Sequence, residues 1–231
     1  MPDFCNMKSG TLTLSLCYHI AMNEPQNHFI LDTNLFFNME AALGMGEKTE
    51  DVIKAMTECI KKHKLAGNTF YMPPRIVDEL LSFFDDPKQG FLQQFLAEVV
   101  IKSPELQDIQ IGANVFYKLI NDIRGRSYRG MDIGEESIKK GAELFIGKEH
   151  MERKAFEMTI GPAVKAFRER YRNATRTGFL DSLADLDLIM LAKEVNGIVI
   201  SADEGVLKWG RIFGVKEMPA HVFGELMRAD S

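Results

Sequence analysis

The sequence predicts an α/β protein in which a parallel sheet is covered by helices and interrupted by a large helical insertion. Three observations carry that expectation. Short apolar runs alternate with helix-spaced segments, as βαβ units require. The first run, FIL, is apolar throughout, which suits a strand buried on both faces. The stretch from about 101 to 177 is too long for a simple connection, so it is expected as an insertion made of several helical segments.

Each element has a local reason. Phe29 to Leu31, within NHFILDTNLFF, reads as a short buried strand. Between Lys48 and Leu65, the residues Val52, Ile53, Met56, Cys59 and Ile60 fall at helical spacing. NTFYMPP reads as the second strand, and Pro74 opens a helix over RIVDELLSFF because a first helical turn tolerates proline. Gly90 to Val100 and NVFYKLINDIRGR read as helices. After the insertion, Leu180 to Glu194 is a helix stopped by Asn196-Gly197. GIVIS is then a strand, EGVLKWGRIF a helix, and Met218 to Phe223 a last short strand. The chain thus divides into an N-terminal extension (1–26), a sheet domain built from 27–100 and 178–231, and the insertion (101–177). Within the extension, TLTLSLCYHIAM is expected to lie outside the core or to add an edge strand.

Composition bounds the class. The chain has 231 residues, which suits one domain carrying an insertion. The three cysteines show no CxxC pairing and no nearby histidine at zinc spacing, so a reduced, cytoplasmic protein without structural zinc is expected. No apolar run approaches the ~20 residues that span a bilayer. The N-terminal stretch lacks the charged region and cleavage site of a secretory signal, so no membrane partner is expected.

The carboxylates are the first chemical signal. Asp32 directly follows the FIL strand and Asp203 follows GIVIS, so both stand at strand C-terminal ends. Open α/β sheets bind ligands outside those ends, where the strand order reverses. Asp181 and Asp185 are four apart and would share one face of a helix beginning at Leu180. Asp187, roughly 200° further round the helix from Asp185, points elsewhere and suits a salt bridge. Acidic residues near a helix start favour the macrodipole, which accounts for Asp181 better than for Asp185. Four carboxylates drawn together repel unless a cation neutralises them, and oxygen-only ligation suits Mg²⁺ or Mn²⁺. Such a site would supply hydroxide at neutral pH and stabilise a departing oxygen. The five histidines are scattered along the chain, so none is expected as the base.

Arginines are the second signal. From Arg153 to Arg176 there are seven Lys and Arg against two Glu, a local charge of +5 in a chain of net charge −5. Arg168, Arg170, Arg172 and Arg176 crowd the end of this segment, and Arg124, Arg126 and Arg129 form a second cluster upstream. Either cluster alone reads as readily as a solvated face. Two of them flanking one insertion in an acidic protein favour a phosphate-binding surface, because the guanidinium fork holds two oxygens at once. Trp209, at core-like spacing with Val206 and Phe213, reads as packing.

The segments FILDTNLFF, PPRIVDEL and DLDLIMLAKEVNGIVISADEG resemble the PIN-domain nucleases. In that family an Asp follows the first strand, a Glu rides on the helix after the second, an Asp opens a late helix, and another Asp lies about eighteen residues on, as Asp185 and Asp203 do here. GFLDSLADLDLIMLAKE, SADEGVLKWGRIFGV and the insertion introduced by VFYKLINDIRGR are similar to one branch, the Homologs of Aquifex RNase P, also called RNA ligase partner proteins. The resemblance implies a PIN-like three-layer α/β/α fold. It implies a protein-only, metal-dependent endonuclease that removes the 5′ leader of precursor tRNA and leaves a 5′-phosphate, assembled as a homo-oligomer built from dimers. Carried over by position, Asp32, Asp181, Asp185 and Asp203 would be the catalytic metal ligands, with Glu79 and Glu204 as further carboxylates. Thr33 and Asn34 would hold a carboxylate or a phosphate. The competing expectations are a PIN endoribonuclease with another RNA substrate and a non-catalytic RNA-binding partner of an RNA ligase.

Overall fold

In the computed structural model, residues 26–229 are described apart from 38–42, 44, 47 and 181. The expectation for the N-terminal extension therefore lies outside the described residues, save for Gln26, and so does the one for Asp181.

Strand β1 (His28–Leu31) is the centre of the sheet, and Ile30 and Leu31 are completely buried. In chain order it is followed by α1 (Asn34–Phe37), α2 (Thr49–Leu65), β2 (Thr69–Met72), α3 (Pro74–Ser82), α4 (Gly90–Glu98) and β3 (Val100–Ile101). Next come α5 (Ala113–Glu143), α6 (Arg153–Arg176), α7 (Leu183–Glu194), β4 (Ile198–Ser201), α8 (Glu204–Ile212), β5 (Lys216–Pro219) and α9 (Ala220–Ala229). The five strands are ordered β3-β2-β1-β4-β5 and every pairing is parallel. Helices α2, α4 and α9 pack together, as do α3, α7 and α8, giving the three-layer α/β/α architecture. Parallel strands covered on both faces need apolar residues on both, which is why FIL and IVI show no alternation.

The chain steps outward from β1 to β2 and β3, then returns to the other side of β1 for β4. The gap between β1 and β4 is thus the switch point, where two successive crossovers diverge and leave a crevice. In register, Leu31 lies beside Ile200, so the residues that follow each strand emerge side by side.

Three expectations changed. Val100 and Ile101, placed at the end of a helix and the start of the insertion, pair with β2 as a two-residue strand, too short and too exposed to leave an apolar pattern. The last expected strand stops at Pro219, and Ala220 begins α9. There Phe223 and Met227, four apart and both buried, show the helical period that the β-prone Val222-Phe223 pair obscured. The insertion is two long helices rather than several short ones. Helices α5 and α6, of 31 and 24 residues, form an antiparallel hairpin. Gly130 of α5 permits their close approach, since a Cβ there would fall 2.8 Å from the Tyr171 ring. Pro162 sits inside α6, which continues through it with one backbone amide fewer. At the turn of the hairpin Phe145 stacks on Phe156, with ring centroids 5.0 Å apart.

Candidate functional site

Asp32 leaves β1 at the switch point, and its amide donates to the carbonyl of Ile200 in β4. Its side chain is 2 % exposed. Oδ1 accepts from the Thr33 hydroxyl at 3.3 Å and from the Asn34 amide at 3.4 Å. Oδ2 accepts from the Asn34 side chain at 3.2 Å and from the Ser201 hydroxyl. The DTN sequence is therefore a cradle for its own aspartate. Of the two roles expected for Thr33 and Asn34, holding a carboxylate or a phosphate, both hold the Asp32 carboxylate, and Thr33 is buried. Burial pushes the Asp32 carboxyl above its ordinary range, against the lowering effect of Ser201 and Asn34, and the negative charge of Glu79 pushes it the same way. Glu79, exposed on α3 beyond the second strand, is thus near enough for its charge to reach Asp32.

Asp203 follows β4 and caps α8, where its Oδ1 accepts from the Val206 amide at 3.0 Å. Its own amide donates to the Ser201 hydroxyl at 2.9 Å. One fully buried hydroxyl therefore holds both Asp32 and Asp203, two residues 171 positions apart in the chain. Sequence reasoning missed Ser201. The signal was a polar residue closing an apolar strand two positions before an aspartate. Gly205 completes the turn, since a Cβ there would lie 2.7 Å from the Phe179 carbonyl and 2.8 Å from Asp203 Oδ1.

Asp185 is in the first turn of α7, a helix that contacts β1. Its amide donates to the Ser182 hydroxyl at 3.0 Å, so Ser182 is the N-cap. The helix starts at Leu183 rather than Leu180. Asp187 is buried and paired with Arg75 of α3, the salt bridge its position suggested. That pair ties the helix bearing Glu79 to the helix bearing Asp185, and Arg75 is a second residue that sequence reasoning did not find.

The arginines separate into three groups. Arg126 is a correction: it is 7 % exposed, donates to Asp122 and to the carbonyls of Thr175 and Thr177, and cannot present its fork to a substrate. Arg170 turns toward α5 and pairs with Glu136. That Glu136 carboxyl is drawn down to about 2, first by Arg170 and then by Lys140. Arg124, Arg129, Arg168, Arg172 and Arg176 are exposed. Lys165, Arg168, Arg172 and Arg176 follow a helical 3-4-4 spacing and share one face of α6. This stripe leads to the acidic residues. Arg172, Asn173 and Arg176 line a cleft of about 430 Å³ together with Asp203, Glu204 and Gly205.

Among the described residues, no three His, Cys, Asp or Glu side chains form a group able to hold a metal. The donor chemistry nevertheless suits a hard cation. The buried Asp32 carboxyl is raised further by the negative charge of Glu79, and Asp32 and Asp203, joined through Ser201, offer oxygen ligands only. No helix among the described residues is long and apolar enough to cross a membrane.

The fold is thus a parallel, three-layer α/β protein with two aspartates joined through Ser201 at its switch point. Comparison with known proteins makes this specific. The family model of the PINc domain ribonucleases matches residues 28–229, and the chain belongs to that family. It is 35% identical over 201 residues to the RNA-free ribonuclease P of Pyrococcus furiosus, covering 86% of this chain and 92% of that protein. The RNA-free ribonuclease P of Methanocaldococcus jannaschii is 31% identical over 208 residues, covering 86% of this chain and 89% of its own length. That of Haloarcula marismortui is 30% identical over 206 residues, with 88% and 91% covered.

Proposed function

We propose that this chain is a protein-only ribonuclease P, an endoribonuclease that hydrolyses precursor tRNA at the 5′ end of the mature sequence and leaves a 5′-phosphate. The observation that carries it is the shared cleft in which the arginine stripe of α6 meets Asp203 and Glu204. A grip for phosphates thereby adjoins the acidic crevice within a single chain. A-form RNA is read through its shape and its phosphates rather than its base edges, and a stripe of guanidinium groups on a projecting helix suits that task.

Asp32, Asp185 and Asp203, with Asp181 four residues before Asp185 and Glu79 and Glu204 as further carboxylates, are the residues proposed to hold Mg²⁺ or Mn²⁺. A bound divalent ion supplies water activation at neutral pH and charge stabilisation for the departing 3′ oxygen. The chain's own residues do the positioning. Ser201, Thr33 and Asn34 fix the Asp32 carboxylate, and Ser201 also holds the backbone of Asp203. Arg172 and Arg176 orient phosphates beside Asp203, with Arg168 extending the stripe.

A homo-oligomer is proposed as well. The far end of the hairpin leaves Ile138 at 73%, Ile146 at 78% and Met158 at 72% exposed. Around the interhelical groove are Phe145, Phe156, Ile160 and Val164, and apolar surface of this extent suits a second copy of the chain. The solution mass of the purified protein tests this.

The activity is tested with 5′-labelled precursor tRNA and Mg²⁺. Asp203→Asn preserves the α8 cap, because asparagine caps as well as aspartate, while removing the charge. The wild type is expected to release one leader of defined size and the variant, folded and equally stable, to release none. Full activity in Asp203→Asn would remove Asp203 from the site.

A further inference from the structure

We infer that Arg126 is a positioning residue that holds the arginine-bearing hairpin at a fixed angle to the acidic crevice and so determines where the RNA is cut. The inference rests on the ribonuclease P reading for its substrate, but not for its geometry. Three of the five N–H bonds of the guanidinium are committed. Nε donates to Asp122 at 2.7 Å, and Nη1 donates to the carbonyls of Thr175 at 2.8 Å and Thr177 at 3.1 Å. These two carbonyls close the C-terminal end of α6, where a helix leaves acceptors unpaired and favours a cation. Arg126 of α5 therefore fastens the end of α6 through two carbonyls, and Arg129 adds one longer bond, from Nε to the Ala174 carbonyl at 3.4 Å.

The same guanidinium lies over the Phe179 ring at 4.6 Å. Phe179 meets Trp209 edge-on, with centroids 5.6 Å apart, and Trp209 is fully buried in α8. The backbone of Phe179 also lies against Gly205, two residues beyond Asp203. Arg126, Phe179 and Trp209 thus form a continuous stack from the base of the hairpin to the helix that Asp203 caps. Gly178, with φ +68°, supplies the bend that brings Phe179 under the guanidinium.

The geometry gives the stack leverage. Lys165 stands about 15 Å along α6 from Thr175. A tilt of about 10° at the base would move it by about 3 Å, on the order of the axial spacing of stacked nucleotides. A loosened base therefore shifts the cut by about one nucleotide or spreads it over neighbours, while the exposed arginines that bind RNA stay intact.

The test uses the full chain and three variants: Arg126→Ala, Arg126→Lys and Phe179→Leu. Binding of precursor tRNA is measured without divalent ions, single-turnover cleavage with Mg²⁺ and a 5′ label, and hydrogen exchange at the amides of 177–180. For Arg126→Ala, binding is expected to stay within about twofold, while the rate falls by about 100-fold, the scale of a misplacement near 1 Å. The products should spread to adjacent positions and the 177–180 amides should exchange faster. Arg126→Lys should fail similarly, because an ammonium cannot reproduce the planar fork, and Phe179→Leu should be intermediate. These two variants keep the test valid if Arg126→Ala does not fold. Wild-type rate and cut site in all variants would overturn the inference. So would binding lost in proportion to rate with the cut site unchanged, since that marks Arg126 as an RNA contact. If the wild type leaves precursor tRNA uncut, the parent reading falls separately. The positioning role then depends on hydrogen exchange, and wild-type exchange at 177–180 in Arg126→Ala would overturn it.

Discussion

Replacing Ser201 with alanine removes one oxygen and tests whether the two ends of the chain are joined at the site as described. The hydroxyl is fully buried, donates to Asp32 Oδ2 and accepts from the Asp203 amide at 2.9 Å. A hydrogen bond to a charged group contributes about 1.5–3 kcal/mol, and a neutral one about 0.5–1.5 kcal/mol. Ser201→Ala is therefore expected to destabilise the fold by about 2–4 kcal/mol. At about 2–4 °C per kcal/mol for a chain of this size, the melting temperature should fall by roughly 5–15 °C. The hydroxyl also lowers the Asp32 carboxyl, which burial already holds above its ordinary range. A group whose folded pKa is raised favours the fold below its ordinary pKa and loses that contribution as pH rises through the folded value. Removing the hydroxyl raises Asp32 further, so the stability deficit should be larger at about pH 7 than at about pH 4. For the same reason the acidic limb of the cleavage profile should move to higher pH. Loss of an orienting partner should also weaken activity by about 10–100-fold. Melting curves at two pH values and a pH–rate profile measure all of this. A melting temperature within about 1 °C of wild type, with an unmoved acidic limb, would refute the bridging role.

Changing Arg168 and Arg172 together to Glu should weaken precursor-tRNA binding and reduce the slope of log affinity against log salt by about two, as filter binding across a salt series would show. Arg170→Gln is the contrast: its guanidinium faces Glu136, so the salt slope should hardly change. Glu136→Gln probes that clasp by pH. Its carboxyl is depressed to about 2, so its contribution is present above the ordinary carboxylate range and lost as pH falls toward the depressed value. The difference in melting temperature between wild type and Glu136→Gln should be small, because the pair is exposed. It should shrink between pH 4.5 and about 2. A difference that grows in acid would contradict the assignment.

The apolar runs FIL and IVI, the proline opening α3 and the Asn196-Gly197 stop were legible because their causes are local. A strand buried on both faces needs apolar residues, a first helical turn tolerates proline, and asparagine accepts the left-handed φ of 51° found at Asn196. Asp32 and Asp203 were legible as partners because both follow strands, and parallel strands deliver their ends to one edge. The reach of α5 and α6 was not legible. Glycines and a proline lower helix propensity, and only packing between the two helices overrides that.

The sequence alone determined which residue types could do chemistry here and roughly where along the chain they fall. Composition and periodicity are properties of the chain, and so are the carboxylates and arginines. Tertiary structure decided what each one faces. It buried Arg126 as a clasp while its neighbours stayed exposed, and it turned Arg170 away from the stripe that Arg168, Arg172 and Arg176 share with Lys165. It also placed a single serine between two aspartates that no sequence spacing connects. Side-chain direction depends on which helix packs against which, and that is settled only when the hairpin folds back on itself and its base meets α8.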